Sequence, residues 1–90
     1  MKTDDKALSL LDEIREGTSA TTTILARYSY DLADKISLLL KEQGMSQREL
    51  ARRMAKRPSE INKWLSGTHN FTIETLAKLA CVFQRDLISI

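Results

Sequence analysis

Ninety residues make one small domain with a single modest core, and they leave no room for two independent cores. One Pro and three Gly against 42% hydrophobic residues exclude a turn-rich β fold and point to an all-α chain. The net charge of +2 is unevenly spread: residues 1–40 hold five Lys/Arg against seven Asp/Glu, residues 41–63 seven against three, and residues 64–90 two against two. The basicity is a local footprint rather than a general solubility device.

In chain order, D-D-K-A-L-S-L-L-D-E-I-R-E-G places Leu8, Leu11 and Ile14 on one helical face with acids on the other, and Gly17 closes it. A short amphipathic helix is expected, followed by a polar break at T-S-A-T-T-T, so that residues 1–22 form a helix and linker ahead of a domain at 23–90. Ile24, Leu25, Tyr28, Leu32, Ile36, Leu39 and Leu40 then recur at steps of three and four up to Gly44. They predict one long helix, or two joined near Ser29. No apolar run is long enough to cross a bilayer, and Met1 is not followed by a signal-peptide pattern, so a soluble, cytoplasmic protein without membrane attachment is expected.

From Met45 the boundary signals sharpen. Ser46 with Glu49 makes the capping-box pattern, Met45 and Leu50 take the positions of a hydrophobic staple, and a helix is predicted to begin at Gln47 with Leu50, Ala51 and Met54 inward. It ends before Pro58, which suits the first position of the next helix. That helix turns Ile61, Trp64 and Leu65 toward the core and stops at Gly67. Thr72 caps a further helix with Phe71 and Leu76 at staple positions and a stripe of Ile73, Leu76, Ala77, Ala80 and Phe83. Cys81 lies within that periodicity and is expected as a buried thiol; Leu87, Ile88 and Ile90 remain as an apolar C-terminal patch.

Two short helices meeting across three or four residues, with another capped helix after them, make a helix-turn-helix arrangement. Gln47, Leu50, Ala51, Ile61, Trp64 and Gly67 stand where the family of phage lambda and 434 repressors and XRE-type regulators has its signature residues. The resemblance covers about residues 30–88. The segment W-L-S-G-T-H-N-F-T further resembles the HigA-type antitoxin subgroup. The resemblance implies a five-helix lambda-repressor-like bundle, here with the additional N-terminal helix. Ala55 and Lys56 depart from the family pattern, which has Gly and a small or apolar residue there. If the site needs positive φ, Ala55 is strained, so the turn opens or the preceding helix runs one residue further.

The resemblance also implies that the second helix of the pair enters the major groove of double-stranded DNA with its N-terminal residues at base edges. Candidate base contacts are Arg57, Ser59, Asn62 and Lys63, which face away from Ile61 and Trp64. Candidate phosphate contacts are Gln47, Arg48, Arg52, Lys56, Ser66, Thr68, His69 and Asn70. Trp64 is expected in the core, and Tyr28 and Tyr30 as packing residues. His69 has no Cys or second His beside it, so no metal site or cofactor is expected. No Ser-His-acid set or Gly-rich phosphate loop is present, which argues against an enzyme. The expected function is a transcription regulator, a repressor acting as a homodimer on a two-fold operator. The alternative is an antitoxin that neutralises a toxin protein and represses its own operon.

Overall fold

The computed structural model describes residues 19–89 and shows four helices among them: α1 (Ser19–Glu42), α2 (Gln47–Met54), α3 (Pro58–Leu65) and α4 (Ile73–Phe83). The expected N-terminal helix lies outside the described residues. Its following break is not a break from Ser19 onward, since Ser19–Thr23 are already helical. Between Gly17 and Gly44 no Gly or Pro interrupts the chain, and Thr in a helix costs only a few tenths of a kcal/mol. The helix therefore runs unbroken past Ser29, which is itself buried.

Packing follows the capped boundaries. α2 lies on α3, α3 on α1, and α2 on α4. Ile36, Leu39 and Leu40 of α1, Leu50, Ala51 and Met54 of α2, Ile61 and Trp64 of α3, and Leu76, Leu79 and Phe83 of α4 form one core, with Leu87 closing it. Ile36, Leu50, Ile61, Leu79 and Phe83 are fully enclosed. Each such side chain contributes about 1.5–3 kcal/mol by leaving water.

Three helices end in the same way. Gly44, Ala55 and Gln84 all take the left-handed conformation, at φ of 61°, 55° and 54°. The N–H groups of Met45, Lys56 and Arg85 then reach back to the carbonyls of Leu40, Ala51 and Ala80 at 2.9, 2.9 and 3.2 Å. This 6→1 bond defines the Schellman stop. Ala55 thus keeps the tight turn without a glycine: the turn does not open, and α2 ends at Met54.

Several expectations about the far end of the chain are corrected. The described residues hold four of the five helices expected of the bundle, and beyond α4 the stop at Gln84 turns the chain so that residues 85–89 run irregularly. Leu87 is not part of a surface patch but 5% exposed in the core, where Lys35 Nζ donates to its carbonyl at 3.3 Å. Gln43 Nε2 likewise donates to the Phe83 carbonyl at 2.8 Å, and Arg85 pairs with Glu42 at 3.6 Å. On α4 the buried stripe is Leu76, Leu79 and Phe83; Ile73 and Ala77 face solvent and Ala80 is half-buried. Cys81 is exposed, one position round the helix from that stripe. Tyr28 and Tyr30 are also largely exposed.

Candidate nucleic-acid interface

The local geometry of α2 and α3 follows from their ends. Ser46 is extended and its Oγ accepts from the Glu49 N–H at 3.0 Å, which fixes the start of α2. Only half of the predicted capping box forms. The Glu49 carboxylate instead accepts from Arg52 Nε at 3.0 Å and from Arg53 Nε at 2.9 Å. Hydrogen bonds from Arg52 and then Arg53 hold the Glu49 carboxyl down at about 2, and the same bond to Glu49 raises the already high pKa of Arg52. The two guanidinium groups therefore sit on α2 in a fixed fork, one of them on Arg53, which sequence reasoning passed over. The Glu49/Arg53 spacing of four was the signal for it.

The turn Ala55-Lys56-Arg57 leads directly into α3, where Pro58 occupies the first position and the Arg57 side chain makes no capping bond. On α3, Ile61 and Trp64 are buried and Leu65 is half-buried against the core. Ser59, Asn62, Lys63 and Ser66 are exposed and recur at steps of three and four, so they share the face opposite that anchor. Arg57 is exposed immediately before them.

The candidate residues are unequally committed within the protein. Among the described residues, Arg48, Arg57 and Lys63 lie in no ion pair. Arg52 is held by Glu49, and Lys56 approaches Glu60 at 4.0 Å. Ser66 Oγ donates to the Lys63 carbonyl at 2.6 Å and lies 2.9 Å from Thr68 Oγ1, closing the end of α3. Gln47 is exposed in the first turn of α2, where unpaired N–H groups favour an anion.

The loop after α3 is built around aromatic rings. His69 packs edge-on to Phe71 at 4.7 Å between centroids, and both lie 5.9 Å from the Trp64 ring. Trp64 is 4% exposed, so it anchors α3 from behind rather than meeting a ligand. Asn70 is exposed beside this cluster while His69 is half-buried in it. At Gly67, φ is +89° and an added Cβ would stand 3.1 Å from Cδ2 of Tyr30. The chain can leave α3 this close to α1 only through glycine.

An eight-residue helix anchored by two buried side chains, with a polar and basic outer face and a capped partner helix across three residues, is the geometry of a unit that lays one helix in a DNA groove. A family model described as helix-turn-helix, of the XRE type, matches residues 31–90. The chain belongs to the helix-turn-helix family. This is a DNA-binding regulatory family, typically non-enzymatic, and the match spans α2, α3 and α4 together with the second half of α1. No curated protein and no solved structure matches the chain. No helix among the described residues is long and apolar enough to cross a membrane. Within the helix-turn-helix unit, α3 holds the position of the recognition helix and α2 that of the helix crossing the backbone.

Proposed function

We propose that the protein is a sequence-specific transcription repressor that binds as a homodimer to a two-fold operator. The observation that carries this reading is the exposed α3 face of Ser59, Asn62 and Lys63 with Arg57 at its head, where neither cation is spent on a carboxylate among the described residues. Arg57 and Lys63 match guanine O6 and N7, Asn62 matches adenine N6 and N7, and Ser59 reaches base or phosphate. Gln47 and Arg48 at the start of α2, with Arg52, Lys56, Ser66, Thr68, His69 and Asn70 around it, form the surrounding phosphate-facing set.

Four side chains on one short helix read too few base pairs to select a genomic site. A second copy adds a half-site about 34–36 Å along the duplex. Repression needs nothing beyond occupancy, since a dimer seated on promoter DNA excludes the transcription machinery. The antitoxin reading ranks second, because Trp64, His69 and Phe71 of the segment that suggested it are engaged in packing α3. Selection from a random duplex pool, followed by footprinting on the enriched sequence, tests the proposal. A two-fold site protected on both halves is expected; failure to enrich any two-fold sequence would overturn it.

A further inference from the structure

An open groove of about 640 Å³ runs between α1, the start of α4 and the C-terminal tail. Leu25, Tyr28, Leu32, Ile73 and Ile88 give it apolar walls, and all of them but Leu32 are largely exposed. Sites for small organic molecules span roughly 300–1,000 Å³ and combine such walls with a few polar groups.

Two polar groups of α1 border the apolar stripe, and neither is satisfied within the protein. Ser29 lines the groove at 5% exposure, and its hydroxyl makes no hydrogen bond among the described residues. Buried hydroxyls are seldom left unpaired, so one at the wall of a groove points to a partner from outside. Asp31 is the one charged residue of the lining among the described residues, and its carboxylate lies in no ion pair. Arg27 stands one turn before it, at the spacing where a pair could form. Its guanidinium instead lies 5.5 Å over the Tyr28 ring.

Successive helical residues turn by about 100°, so the order round α1 is Ser29, Leu25, Leu32, Tyr28, Asp31. The hydroxyl therefore marks the inner edge of the stripe and the carboxylate its outer edge.

We infer that this groove binds a small aromatic or alkyl amine that carries a hydroxyl at its far end. The ammonium donates to the Asp31 carboxylate in a charge-assisted bond, the apolar body lies over Leu25, Leu32 and Tyr28, and the hydroxyl meets Ser29 as donor or acceptor. An anionic ligand is turned away by Asp31. A second copy of the chain is a poorer occupant, because a two-fold contact sets the same hollow against itself and fills neither. Phe71 belongs to the same lining, and its ring lies 5.9 Å from that of Trp64. A molecule in the groove thus touches a side chain that packs behind α3.

Tyramine is the probe, with 4-ethylphenol as the analogue lacking the ammonium and phenethylamine as the analogue lacking the hydroxyl. NMR shifts of the full chain are titrated with each in the absence of DNA, so failure here is separate from failure of the operator model. Saturable shifts at Leu25, Ile73 and Ile88 are expected. Tyramine should bind at least about tenfold more tightly than 4-ethylphenol, as a charge-assisted bond requires, and about threefold more tightly than phenethylamine. Asp31→Asn should abolish the first difference and leave 4-ethylphenol unchanged; Ser29→Ala should abolish the second and leave phenethylamine unchanged. Failure of tyramine to bind, or survival of either difference in its variant, would overturn the inference. Groove resonances that move with protein concentration alone would also overturn it and would assign this face to a second copy.

Discussion

Ala55 stands where a left-handed residue is required, and an L side chain in that region costs roughly 1–2 kcal/mol. The unfolded chain gains freedom when Ala becomes Gly, which offsets part of the relief. Ala55→Gly is therefore expected to stabilise the protein by about 1 kcal/mol, read as a higher urea midpoint at unchanged slope. Trp64→Ala acts in the opposite direction. Removing a ring that is 4% exposed and touches His69 and Phe71 should cost about 3–5 kcal/mol. A variant that melts like the wild type would show that the ring does not anchor α3.

At the scale of the element, the proposed reading divides the work between α2 and α3. Lys63→Ala or Arg57→Ala should cost roughly 1–3 kcal/mol on a selected operator and little on random duplex. Arg48→Ala should weaken both alike and make log K against log salt shallower by about one unit per protomer. Equal losses on both duplexes for all three would deny α3 a reading role. α2 also carries an acid-side signature. Glu49 is held at about 2, below its ordinary 4.5, so its contribution is fully present above 4.5 and is lost as pH falls through about 2. In Glu49→Gln, urea midpoints should fall less steeply across that window than in the wild type.

Much of these elements was legible beforehand. Ser46, Pro58 and Thr72 are local chemical signals, and each bounds its helix where expected because capping is decided within four residues. Ile61 and Trp64 were inward by spacing alone. What the sequence hid was set by partners distant in the chain or by competition between neighbours. Arg52 has both a free-cation reading and an ion-pair reading, and Glu49 decides between them. Cys81 and Ile73 share the apolar character of their buried neighbours, yet only the direction of packing separates Leu79 from them.

For the molecule as a whole, α1 acts as the strut to which the chain's far end is tied. Leu87 enters the core and its carbonyl accepts from Lys35, 52 residues away, while the Phe83 carbonyl accepts from Gln43. No periodicity announces such bonds, which is why the C-terminal residues read as an isolated patch. Gln43→Ala should cost about 1 kcal/mol and should speed amide exchange in residues 84–89 more than in α3. A uniform change across the chain would mean that the tie is not local to the tail.

The anchoring of α3 through Ile61 and Trp64 leaves Ser59, Asn62, Lys63 and Ser66 without a part in the core. Substitutions at Ser59, Asn62 and Lys63 change what the surface displays while leaving the scaffold nearly indifferent, whereas Ser66 also closes the end of α3. On the proposed reading such a helix is an interchangeable reading head: altered side chains at Ser59, Asn62 and Lys63 would retarget the protein without the repacking that a new core would demand, and descendants of this chain would diverge in the sites they select faster than in the structure that carries them.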